Sequence, residues 1–196
     1  MKHYSKIALG LLLVSSVALT SCRQDNTVTP DPPMESIYAR LGGSTMVPDP
    51  DNAGQMIEQG RLNFRKVVNS AIGLIAADAN NNVSGNLGDY FKVLLAEVNA
   101  GNTTGFAELS DNLTSFFSYN TGGTNAVNTY KGDDMVTAHD PSKNSRIGKK
   151  VTAEDYTKFE GYVGKAANMN GVAADTQLYK DIVAVLESLR PQIIQK

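Results

Sequence analysis

His139 is the side chain best suited to chemistry in this 196-residue chain. It closes a glycine-punctuated stretch that starts at Gly122, and the other histidine, His3, lies at the extreme N-terminus. A neutral imidazole is a good ligand for one metal centre brought in by a cofactor. One imidazole does not build a metal site alone, and the chain offers no partner cluster with ligand spacing. The competing reading is an ordinary histidine at a helix end, satisfied by water or a carbonyl. Cys22 is the sole cysteine, so a Cys/His pair is absent, as is any recognisable Ser/His/Asp set. The acidic pair Asp133-Asp134 has no partner base and reads as the solvated start of a helix. An enzyme with its own protein-based catalytic group therefore has no support, and a binding protein is expected.

The N-terminus sets the context. Lys2 and Lys6 precede a nearly uninterrupted apolar run from Ile7 to Leu19, the pattern of a secretory signal. That run is too short to span a bilayer permanently. The sequence Leu19-Thr20-Ser21-Cys22 resembles the lipobox of bacterial lipoproteins. The resemblance implies cleavage before Cys22 and acylation of that residue, and several acyl chains give stable attachment at ~0.8 kcal/mol per buried methylene. Residues 1–21 are thus a signal peptide, 22–34 a lipidated cysteine with a Pro/Asp/Thr-rich tether, and 35–196 one folded domain. The domain is expected on a bacterial membrane, facing the periplasm or the cell exterior. A net charge of −2 without any Lys/Arg cluster gives no footprint for nucleic acid. Without a second cysteine there is no internal disulfide, so stability must come from the core or a bound cofactor.

Helical elements must position His139. Ile37 and Leu41, spaced by four and followed by Gly42-Gly43, predict a short helical turn with a left-handed cap. Within 55–78, Phe64, Val67, Val68, Ala71, Ile72 and Ile75 fall on one helical face. The Asn/Gly-rich segment 79–88 reads as an exposed loop. Tyr90, Phe91, Leu94, Leu95 and Val98 form the next stripe. Phe106, Leu109, Leu113, Phe116 and Phe117 make another, ended by Gly122-Gly123. The polar segment 140–150 reads as a loop. Thr152 and Asp155 have the spacing of a capping box and predict a helix start, with Tyr156, Phe159, Val163 and Ala166 along one face. The last helix carries Leu178, Ile182, Val185, Leu186, Leu189 and Ile193, with Pro191 near its end. No strand-length alternation is evident, so the domain is expected to be all-α.

Several ordered motifs resemble the group I truncated haemoglobins, small globins built as a two-over-two helical sandwich. Ser36-Ile37-Tyr38-Ala39-Arg40-Leu41-Gly42-Gly43 is similar to the family's opening segment. Phe116-Phe117 with Gly122-Gly123 resembles the end of its E helix. Tyr130, Gly132, Met135, Ala138 and His139 are spaced like the segment leading to its proximal histidine. Val151-Thr152 with Tyr156, and the stretch 171–193, resemble its G and H helices. Together these cover most of 36–196. The resemblance implies an all-α truncated-globin fold with extended loops and a haem b whose iron is ligated by His139. Nε2 would bind the iron, and a backbone carbonyl would receive the Nδ1 hydrogen. Without a Cys-x-x-Cys-His motif the haem would be noncovalent. Phe116, Phe117, Met135, Val151 and Tyr156 would wall it, and Tyr130 and Lys131 would lie near its propionates. Met135, four residues before His139 on one helix, cannot reach the opposite haem face.

The departures from the family are equally specific. Aligning Val67-Val68 places Ile72 where the family's distal tyrosine usually stands, and counting back from Gly122 places Leu113 where a distal glutamine is common; Leu109 stays apolar. Such a distal side offers no hydrogen-bond donor to bound dioxygen, a bond worth about 1 kcal/mol. Extra segments occur at 44–54, 79–88 and 140–150, the last directly after His139. The expected function is a membrane-anchored haem protein that takes O2, NO or CO, or transfers electrons. The alternative is a haem-free, globin-derived lipoprotein acting as a binding or structural module.

Overall fold

The computed structural model describes residues 34–124 and 126–195. The signal segment, Cys22 and the tether up to Pro33 lie outside the described residues. Among them the fold is all-α, with seven α-helices and one small two-stranded sheet.

Local chemistry explains most element boundaries. Ser36 accepts a hydrogen bond from the Ala39 amide (3.1 Å) and starts α1 (Ile37–Arg40). Gly42, at φ +109°, lets the chain leave that turn. The next segment departs from the expectation that no strand forms: β1 (Met46–Pro48) and β2 (Met56–Glu58) pair antiparallel, Val47 opposite Ile57. Three residues per strand, one of them proline, leave too little alternation to detect. The hairpin loop is tied down by Asp49, which accepts from the guanidinium of Arg65 (2.5 and 3.2 Å) and from the amides of Asp51 (2.9 Å) and Asn52 (3.0 Å). The Arg65 bonds first, then that of Asn52, hold its carboxyl far below the usual carboxylate range.

The long helix α2 (Gln59–Asn80) begins directly after β2, four residues after the start of the expected helical segment 55–78. It is followed by α3 (Lys92–Asn99), α4 (Thr104–Asn120), a 3-10 turn over Ala126–Asn128, and α5 (Met135–Ala138). The chain ends with α6 (Ala153–Met169) and α7 (Gln177–Ile193). Both halves of the Thr152/Asp155 capping box form at the start of α6. Pro191 is accommodated in the last turn of α7, where its missing N–H removes one helical bond.

Helix α2 packs on α4 and α6, and α6 packs on α7, so two helix pairs meet through α2 and α6. The main core gathers Tyr38 and Leu41, Phe64, Val68 and Ala71 of α2, Phe116 and Phe117 of α4, Val163, Ala166 and Ala167 of α6, and Ile182 and Leu186 of α7. Tyr38 is its hinge pin. A Cβ on Gly60 would meet the Tyr38 ring at 2.8 Å, and one on Gly123 would meet it at 2.9 Å, so the ring is clasped between two glycines. Its hydroxyl donates to buried Glu58, which also accepts from the Asn128 side-chain amide (2.7 Å). Burial first, then the Glu58 carboxylate, pushes the Tyr38 hydroxyl up to about 12. This buried polar group joins α1, the start of α2 and the 3-10 turn before α5. The segment 79–88 is only partly the exposed loop its composition suggests: its first two residues extend α2, and Leu87 is buried beside Ile75 and Tyr162.

Candidate functional site

The elements enclose an apolar cleft of about 270 Å³ between α4 on one side and α5, α6 and α7 on the other. The α4 wall is Leu109, Leu113, Phe116 and Phe117; the facing wall is Met135, His139, Val151, Tyr156, Phe159, Leu189 and Ile193; Tyr90, Phe91 and Leu94 close one end. The α4 stripe recurs at three and four, so one helix face delivers all four of its residues to the cleft.

His139 is the C-cap residue of α5. Asp134 starts that short helix by accepting from the Val136 and Thr137 amides, both at 3.0 Å, which gives the acidic pair its structural role. The helix then turns His139 back so that its Nδ1 meets the Met135 carbonyl at 2.7 Å. A carbonyl only accepts, so the proton sits on Nδ1 and the lone pair on Nε2. Burial holds the imidazole below its ordinary value, against a smaller opposing effect of the Met135 bond, so the ring is neutral at pH 7. The ring of Tyr90 stacks beside it, 6.4 Å between centroids and 25° between planes. From the C-terminal end, Gln195 donates to the Val136 carbonyl (3.1 Å) and pins α5 against the end of α7.

Phe116 meets Phe117 and Tyr130 edge to face, at 5.5 and 5.2 Å. The Tyr130 hydroxyl donates to the Asp133 carbonyl (2.8 Å), which closes the loop before α5. The Tyr156 hydroxyl is buried and donates to the Leu186 carbonyl (2.6 Å), fixing α6 against α7 at the floor of the cleft. Of the residues expected at the site, His139, Phe116, Phe117, Tyr130, Met135, Val151, Tyr156, Leu109 and Leu113 line this one cleft. Two do not. Lys131 is exposed and does not contribute to the wall. Ile72 borders an adjoining apolar cavity of about 40 Å³, shared with Leu109, Leu113 and Phe117.

Other lining residues escape a reading of the sequence. Leu186 and Ile193 look like ordinary core positions of the last helix, and Tyr90, just before α3, like the first member of an apolar stripe. Asn144, Arg146 and Ile147 belong to the polar segment 140–150, which folds over the cleft's edge: the Asn144 amide donates to the Ala138 carbonyl (2.9 Å) and the Gly148 amide to the Tyr90 carbonyl (2.9 Å). The extra length of this segment, directly after His139, marks it in the sequence as a loop that could cover an edge of the site, though not which of its residues face the cleft.

Among the described residues no group of three or more His, Cys, Asp or Glu side chains could hold a metal ion. Chemically, the cleft presents one neutral imidazole among mostly aromatic and aliphatic walls, with Glu108, Asn112, Asp133, Asn144, Arg146 and Asp155 as its other polar lining. In comparisons with known proteins, no family model and no curated protein matches the chain.

Proposed function

We propose that this protein is a membrane-anchored haem protein of the truncated-globin type. It holds haem b noncovalently in the cleft through His139 and takes a small diatomic ligand, or passes electrons. The observation that carries this reading is the state of His139. Its Nδ1 hydrogen is committed to the Met135 carbonyl, as ligating histidines commonly donate their other ring hydrogen to a carbonyl or carboxylate, while the surrounding walls are mostly aromatic and aliphatic. Haem b, when bound, supplies an iron with four positions already filled by the ring, so a single protein imidazole is enough. The aromatic and aliphatic walls exclude water and bury the guest's apolar faces. Leu109 and Leu113 bring no donor, and of the α4 residues lining the cleft Asn112 alone carries an amide, on an exposed side chain, which favours weakly polarised ligands over tight retention of dioxygen. The small cavity bounded by Ile72 offers room for a molecule of diatomic size. Attachment to the membrane through Cys22 belongs to the proposal and rests on the sequence alone.

Titrating the purified chain with hemin tests the reading. A Soret band that shifts on binding, is lost in His139→Ala and returns with added imidazole is the expected result. Wild-type and variant spectra identical to free hemin would overturn it. The haem-free alternative predicts a melting temperature indifferent to hemin and a core closed by side chains where the cofactor would lie; the open cleft weighs against it.

A further inference from the structure

Arg146 is the one lysine or arginine among the residues lining the cleft. Its neighbours fix its backbone. The Asn144 side-chain carbonyl accepts from the Arg146 amide (3.1 Å), and Asn144 is itself bonded to Ala138. Two residues on, Gly148 is held against Tyr90. The guanidinium therefore projects from a tethered point at the cleft's edge. It meets Glu108 of α4 in an ion pair and approaches Glu97 of α3 at 3.9 Å. The Arg146 and Glu108 side chains are 39% and 54% exposed, so the pair contributes little and is easily exchanged. Of the other acids of the lining, Asp155 is taken by Lys149 (2.9 Å) and by the capping box, and the ion pairs of Arg146 run to Glu108 and Glu97, not to Asp133.

We propose that Arg146 is the anion-holding residue of the cleft, resting on Glu108 when the cleft is free and transferring to a carboxylate of the bound guest. The planar fork of an arginine suits a carboxylate better than an ammonium does, and the inserted loop thereby supplies the cation that Lys131, outside the cleft, does not. The exchange costs little because one exposed carboxylate partner replaces another. This inference rests on the haem reading for the identity of the guest, whose edge carries two carboxylates.

Three ligands separate the inference from that reading: hemin, its dimethyl ester, and metal-free protoporphyrin IX, each titrated against the full chain and followed by absorbance and by quenching of tyrosine fluorescence. Arg146→Gln is expected to weaken hemin and protoporphyrin about tenfold and to leave the diester unchanged. Glu108→Gln, which removes the resting partner, is expected to tighten both acids. Lys143→Gln, the same charge change on an exposed residue of the same loop, is expected to alter none of them, and unchanged circular dichroism shows that the variants fold. Equal affinities of wild type and Arg146→Gln for the acids, or an equal loss with the diester, overturn the inference while leaving the haem reading intact. Arg146-dependent binding of protoporphyrin with no His139-dependent hemin spectrum overturns the haem reading and leaves the inference standing. Failure of the wild type to bind any of the three overturns both.

Discussion

At His139 one local bond and burial settle what the side chain can do. The Met135 carbonyl takes the Nδ1 hydrogen and burial disfavours the imidazolium, so the folded state binds the proton less readily than the unfolded chain does. The sign follows: the folded-state value lies below about 6.5, so this contribution to stability is complete above that pH and is lost as pH falls through it. Urea midpoints measured from pH 7.5 to 5.5 should fall more steeply for wild type than for His139→Gln; parallel curves would show that the ring is solvated. A second prediction concerns the opposite wall. Leu113→Gln places an amide donor in the cleft, and one added hydrogen bond of about 1 kcal/mol should slow dissociation of O2 from the haem-loaded protein roughly fivefold, measurable by stopped-flow. The type and position of His139 are plain in the sequence, as is the apolar nature of residues 109 and 113. The tautomer is not, because it depends on how tightly α5 turns.

Element boundaries were legible where their cause is local. The capping box at Thr152 and Asp155, the acidic start of α5 and the stripes of α4 and α7 all depend on residues within one or two turns of each other. The hairpin 46–58 was not legible, since its strands are short and its stability comes from Asp49 reaching Arg65 on α2. Segment 140–150 was legible only as extra length after His139 that could cover the edge of the site; where it is anchored was not. A Cβ on Gly148 would collide with the Asp89 carbonyl, so this loop approaches the start of α3 as closely as a backbone can. Gly148→Ala should detach the loop from Tyr90 with little effect on overall helicity. Limited proteolysis should then cut within 140–150 far faster than in wild type, and an unchanged cleavage rate would refute the docking.

Over the whole molecule, one core joins α1, α2, α4, α6 and α7, which predicts a single cooperative transition seen alike by circular dichroism and tyrosine fluorescence. Phe64 lies at its centre, stacked between Tyr38 at 6.4 Å and Phe117 at 6.0 Å. Phe64→Ala should cost about 3–5 kcal/mol, a large part of the ~5–15 kcal/mol available to a domain of this kind, and a loss under about 1 kcal/mol in urea unfolding would contradict this packing. The sequence by itself determined the all-α class, most helices and the candidate histidine, because each is encoded by period and by caps among near neighbours. Only the tertiary structure decided which residues face His139. Tyr90, Arg146, Leu186 and Ile193 are brought to one cleft by helix packing and by a loop tied to Ala138 and Tyr90, and Lys131, adjacent to Tyr130 in the chain, is left outside it. Such contacts depend on how helices cross and where a loop is anchored, and no local pattern records either.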